Sequence, residues 1–311
     1  MKRSLELHKE IVPIYSKSWN GEAFIGVELG KIGHLDSVKD LRSLNAFAVD
    51  VDDVTPGVER IVQHIRKKNV DRSKPQRKAD QEKEAFDTAK KSGDCVGIVR
   101  LLREATGAEG HMHGCRSVWE MIRPTRETSY ADANKEHEKA LVAAGALEAV
   151  IQCMQSHPGH VGVQAEGCFA LMCLTDESAH AVRVAEAGGI DVIVAAMAQH
   201  RDSTEVQQYG CWALGYVAYN NDANRRTIAE KGGIDVILAA MKQHPDSTDG
   251  QQWGCLALGN VARDNYANCR TIAEKGGIEA AFRAMTQHSH HEEVQELGCY
   301  MMYMMVDCES A

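Results

Sequence analysis

An all-α solenoid of stacked three-helix units is the fold this sequence predicts, and three observations predict it. The first is self-similarity: "GGIDVIVAAM" at Gly188 returns as "GGIDVILAAM" at Gly232 and again as "GGIEAAFRAM" at Gly276. The second is a fixed period carried by two separate landmarks. Gly-Cys pairs begin at Gly167, Gly210, Gly254 and Gly298, in steps of 43, 44 and 44, while Ile190, Ile234 and Ile278 are spaced by 44 and Leu147 precedes Ile190 by 43. The third is apolar spacing of the helical kind inside each unit, in a chain with only 6 prolines among 311 residues. A period of this length with helical patterning and no strand signal describes units that bury their apolar faces against one another.

One unit reads as three helices. "NRRTIAEKGG" (Asn224–Gly233) opens on a polar capping candidate and closes on a glycine pair, the start and stop of a short helix. "IDVILAAMKQH" then places Ile234, Ile237, Leu238 and Met241 at i, i+3, i+4 and i+7. "PDSTDG" is a turn, and "QQWGCLALGNVARDN" puts Gly254, Ala257, Leu258 and Val261 on one face at the same spacing. Four clear units occupy 137–311. An irregular one occupies 84–136, where Gly114-Cys115 stands 53 residues before Gly167, so about nine residues are inserted near "RPTRETSYADAN".

Composition fits this reading. Apolar residues make up 44 % but aromatics only 5 %, so Ala, Val, Ile, Leu, Met and Cys must fill the core. A net charge of −9 argues against general nucleic-acid affinity. No apolar run is long enough to span a membrane. Among 10 cysteines, Cys168, Cys211, Cys255 and Cys299 share one repeat position, which points to packing and to a reduced, intracellular setting, cytoplasmic or nuclear.

"GCLALGNVA" (Gly254–Ala262) and "GCWALGYVA" (Gly210–Ala218) resemble the third helix of armadillo repeats, and "AEKGGIDVIL" resembles their first-to-second helix junction. The resemblance covers residues 138–311 and implies a right-handed α-α superhelix whose third helices line a concave groove. On that surface the helical spacing pairs Phe169 with Cys173, Trp212 with Tyr216, Leu256 with Asn260 and Tyr300 with Met304. Gln208, Gln252 and Glu296 lie one turn earlier. Rings offer contact area and amides pair with a peptide backbone, so Phe169, Gln208, Trp212, Tyr216, Gln252, Leu256, Asn260 and Tyr300 are the expected partner contacts for a protein or peptide ligand. Seam filling between units is the alternative role of the same side chains. Importin-alpha receptors carry Trp and Asn four apart in successive units. Here no unit keeps both, and a nuclear-localisation-signal receptor is not expected.

Residues 1–68 stand outside the repeat. Ile11–Tyr15 and Ala46–Val51 read as strands, and Glu22–Ile32 and Val58–Lys68 as helices, giving a small α/β segment. "PIYS" (Pro13–Ser16), "FIGVEL" (Phe24–Leu29) and "VDVDDV" (Val49–Val54) resemble, in order, three motifs from the second half of a TIR domain. Phe24 and Ile25 stand where that family has Trp and Cys. The resemblance implies that Glu28 matches the catalytic carboxylate that cleaves NAD+ at the nicotinamide bond. Two classes of function are therefore open. One is a non-catalytic scaffold without a cofactor. The other is a TIR-type signalling protein or NAD+-cleaving enzyme regulated by the repeats.

The remaining motifs are weaker. The basic run in 69–83, "NVDRSKPQRKADQEK", reads as a solvated linker. His157, His200, His244 and His288 recur at one repeat position, which is a structural role, and no metal site is expected from "HMH" or "HSHH". No phosphate loop or ordered nucleophile motif is present. The run "YMMYMMV" near the last residues leaves self-association through a Met-rich helix, or a further segment beyond it, as two expectations.

Overall fold

The computed structural model describes residues 78–123, 134–175 and 178–307. The α/β segment with Glu28, the TIR-like motifs and most of the basic linker lie outside the described residues. The chain divides into the units Met1–Lys78 and Ala79–Ala311, and the second is described here.

Every regular element among the described residues is a helix. The first unit comprises α1 (78–92), α2 (Cys95–Glu104) and α3 (Ala108–Ile122). The second comprises α4 (Lys135–Ala144), α5 (Ala146–Ser156) and α6 (Val161–Cys173), and the third α7 (Ser178–Glu186), α8 (Gly189–Gln199) and α9 (Thr204–Ala218). The fourth comprises α10 (Asp222–Glu230), α11 (Gly233–Gln243) and α12 (Thr248–Ala262), and the last α13 (Tyr266–Glu274), α14 (Gly277–Gln287) and α15 (Glu292–Asp307). Five triplets stack in chain order, and successive third helices pack directly on one another. Helix α1 already runs through 78–83, which the sequence assigned to the linker; the stretch is rich in helix-forming Ala, Glu, Gln and Lys and is anchored by buried Phe86.

Local chemistry sets each boundary. The first glycine of each pair sits in the left-handed region, at φ +82° for Gly188, +81° for Gly232 and +81° for Gly276, so the chain turns from first to second helix without a Cβ penalty. Ser203 and Ser247 cap the third helices and Asn134, Asn221 and Asn265 cap first helices by accepting backbone N–H groups. Asn224, expected as a cap, is instead buried inside α10. Its Nδ2 donates to the Val217 carbonyl (2.9 Å) and to the Ala181 carbonyl (3.2 Å), joining consecutive units. Asn268 does the same one period later, toward Val261 and Arg225.

The Gly-Cys signature has a packing cause. A Cβ on Gly167, Gly210, Gly254 or Gly298 would stand 2.5 Å from Cγ of Met154, Met197, Met241 or Met285, so each glycine is the socket for its unit's methionine. The adjoining Cys168, Cys211 and Cys255 are buried, and burial pushes the thiols of Cys168 and Cys255 up to about 12. Cys299, at the same position in the last described unit, is exposed. Eight of the described cysteines, the four of the Gly-Cys positions among them, are free thiols, and Cys269 is disulfide-bonded.

Candidate functional site

The recurring histidines are structural, as their periodicity implied. His200, His244 and His288 end second helices, and each Nε2 lies 2.6–2.8 Å from a carbonyl oxygen of the preceding unit, on Pro158, Arg201 and Pro245. The carbonyls at these helix ends are themselves satisfied by a glutamine that sequence reasoning missed. Gln207 Nε2 donates to Met197 and His200 (both 2.9 Å), and Gln251 to Met241 (2.8 Å) and His244 (3.0 Å). Gln164 and Gln295 repeat the bond pair. The signal was available: a Gln stands three residues before each of the last four Gly-Cys pairs.

The third helices carry a continuous aromatic cluster. Phe169 on α6 meets Trp119 on α3 edge-on at 5.0 Å, and Tyr209 and Trp212 on α9 at 4.7 and 5.7 Å. Trp212 stacks on Trp253 of α12, ring centroids 4.0 Å apart and planes within 5°, and meets Tyr216 at 6.3 Å. Trp253 was not among the expected contacts, and it is the ring that couples the third unit to the fourth.

The eight expected contacts divide into two groups. Phe169 is 1 % exposed, held between Trp119 and Trp212, and cannot meet a ligand as the wall stands. Asn260 is also buried. Its Nδ2 donates to the Gly215 carbonyl (2.8 Å) and its Oδ1 accepts from the Tyr300 hydroxyl (2.7 Å), so it joins three units. Both side chains fill the seam, which corrects the expectation that they line open space: adjacent third helices approach closely enough to enclose them. Gln208, Trp212, Tyr216, Leu256 and Tyr300 remain half-buried. Gln252 is 6 % exposed, and its buried Oε1 has no hydrogen-bond partner among the described residues. Trp212 Nε1 has none either.

The first-unit end of the wall is occupied by the protein itself. Buried Glu166 accepts from Trp119 Nε1 (2.6 Å) and from Arg116 (2.6 and 3.1 Å). The buried guanidinium of Arg123 lies 5.3 Å from the Trp212 ring centroid, a cation–π contact. The open part of the wall thus runs from Trp212 to Tyr300, across α9, α12 and α15. No group of three or more metal-ligating side chains occurs among the described residues. No helix among them is long and apolar enough to cross a membrane.

No protein-family model matches the chain, and none of the curated proteins matches it significantly. Solved structures do. A crystallised engineered protein superposes with a TM-score of 0.58 at 22 % identity, covering 74 % of this chain and 89 % of its own. A designed armadillo repeat protein aligns with a TM-score of 0.57 at 19 % identity, covering 72 % and 90 %. Another, solved with the peptide (KR)4, aligns with a TM-score of 0.55 at 20 % identity, covering 74 % and 90 %. The stacked helix triplets, with these neighbours, make the fold of the described residues an α solenoid of the armadillo type.

Proposed function

We propose that this chain is a protein-binding scaffold that takes an extended peptide segment on the open part of its third-helix wall. The observation that carries the reading is the row Gln208, Trp212, Tyr216, Leu256 and Tyr300 on α9, α12 and α15, which stays half-buried while the first-unit end of the wall is filled by the protein's own side chains. The Gln208 amide can pair with the C=O and N–H of a peptide backbone, while Trp212, Tyr216, Leu256 and Tyr300 offer apolar area to its side chains. The designed neighbour that holds a peptide supports the same use of the fold.

The test is a random peptide array probed with the full chain, with hits titrated by calorimetry. Trp212→Ala and Gln208→Ala should each weaken binding at least tenfold with helical circular dichroism unchanged. Arg270→Ala, on the fully exposed side of α13, should bind as wild type. Equal affinity in all three variants overturns the placement of the ligand.

A further inference from the structure

The last described unit shows a face that every earlier unit keeps covered. Ile190 and Ile234 are 1 % exposed, whereas their counterpart Ile278 is 39 % exposed. Ala218 and Ala262 are fully buried, whereas Val306 at the same position is 65 % exposed. Phe282 (66 %) and Tyr303 (63 %) complete the apolar face of α14 and α15. A shallow pocket of about 580 Å³ on α14 is lined by Ile278, Glu279, Phe282, Arg283, Thr286 and Gln287.

Two substitutions make this face unlike an ordinary seam. In the two preceding units the position of Tyr303 is glycine, and the next third helix packs there: a Cβ on Gly215 would lie 3.4 Å from Ala257 Cα, and one on Gly259 3.3 Å from Met301 Cα. A tyrosine denies that approach. The second difference is electrostatic. The first-turn acid of each second helix is bridged to a cation of the following unit: Glu148 to Arg183 (2.7 Å), Asp191 to Lys231 (2.8 Å) and Asp235 to Lys275 (2.6 Å). Glu279 is their counterpart and has no cation among the described residues. One turn on, Arg283 replaces the alanines Ala195 and Ala239, is exposed, and has no acid among the described residues. An acid and a base four apart, beside an exposed Phe, form a surface complementary to itself.

We infer that this face is a homodimer interface. Two copies meet about a two-fold axis with α14 antiparallel to α14, the Phe282 rings packed near the axis, and Glu279 of each copy opposite Arg283 of the other. Only this symmetric arrangement pairs both charges twice. Ile278, Phe282, Tyr303 and Val306 leave roughly 400 Å² of apolar side chain open, about half of the ~800 Å² per partner in a standard interface, and the polar rim around α14 supplies much of the rest.

Sedimentation of the full chain from about 1 to about 100 μM tests it. Wild type should be dimeric in the tens of micromolar range, and Phe282→Asp should weaken association at least a hundredfold. Glu279→Arg and Arg283→Glu should each weaken it about tenfold, because each sets like charges against each other twice, and the double exchange should recover it to within about threefold. Tyr303→Asp, on the neighbouring helix, guards against a fold defect confined to α14. A monomeric wild type overturns the interface. A dimer indifferent to Phe282→Asp and Tyr303→Asp overturns its location, and a double exchange that fails to recover overturns the antiparallel pairing.

Discussion

The Tyr300 hydroxyl donates a 2.7 Å hydrogen bond to Asn260 Oδ1, and Asn260 Nδ2 passes the connection to the Gly215 carbonyl at 2.8 Å. This two-bond chain ties α15, α12 and α9 together through an amide that is 3 % exposed. Tyr300→Phe keeps the ring and removes the donor, leaving a buried amide oxygen without its partner. The expected cost is about 1–2 kcal/mol in urea unfolding. Tyr303→Phe, on the exposed face of the same helix, should change stability by less than about 0.5 kcal/mol. Equal effects would remove the Asn260 bridge from the account.

The periodic glutamine makes a sharper contrast. Gln251 is buried and serves two helix-end carbonyls, whereas Gln243 reaches across the surface to Asp202 (2.6 Å). Gln251→Ala strands both carbonyls and should cost about 1–3 kcal/mol, while Gln243→Ala should cost under about 0.5 kcal/mol. Chemical denaturation of the two variants side by side checks the ordering.

The period made the solenoid legible, because units that must bury one another repeat their contact residues. Gly232, Ile234, Met241 and Gly254 were readable for that reason, and so was the structural role of His200 and His244. What escaped were residues whose role depends on the neighbouring unit. Asn260 and Phe169 sit on the helix face expected to be free, but helical spacing gives only the angle around one helix and not the distance to the next. Trp253 was passed over because it stands four residues before Ala257, in line with the helix face read as buried. Asn224 was misread as a cap because a polar residue near a helix start satisfies the local rule, while Asn221, three residues earlier, holds the capping bond at 2.9 Å. The candidate wall was therefore half readable: Gln208, Trp212, Tyr216, Leu256 and Tyr300 retain access, and the rest of it is seam.

Met241 and Gly254 form one lock, and a double-mutant cycle should show it. Gly254→Ala places a methyl 2.5 Å from Met241 Cγ and 2.7 Å from its Sδ, an overpacking that should cost about 1–3 kcal/mol. Met241→Ala alone opens a cavity and should cost about 2–5 kcal/mol. Combined, the added methyl occupies part of the emptied space, so the double variant should be more stable than the sum of the two losses by about 1 kcal/mol or more. Strict additivity in thermal or urea unfolding would show that the recurring Gly–Met pairing is not a packing constraint.

A pH dependence follows from the buried thiol of Cys153, on α5. A hydrogen bond from Cys115 is the chief influence, opposed by burial and aided by His111, and together they bring Cys153 down to about 6. His111 is raised, mainly by its bond with Cys153, and its Nδ1 lies 2.7 Å from Nε2 of His157, whose own value is lowered chiefly by burial. For Cys153 the folded value lies below the unfolded value of about 8.5. The native state therefore holds fewer protons, and this thiol's contribution is complete above about pH 8.5 and is lost as the pH falls through about 6. His111 runs the other way: its contribution is complete below its ordinary value and is lost as the pH rises through its raised one. Neutral pH is where the two overlap. Cys153→Ser should accordingly destabilise the protein more at about pH 7.5 than at about pH 5, read as the difference in urea midpoint from wild type. In a His111→Gln background the same substitution should lose part of its pH dependence, because the imidazole no longer helps to hold the thiolate. A midpoint difference that stays flat across the two pH values would mean that Cys153 remains a neutral thiol among its neighbours.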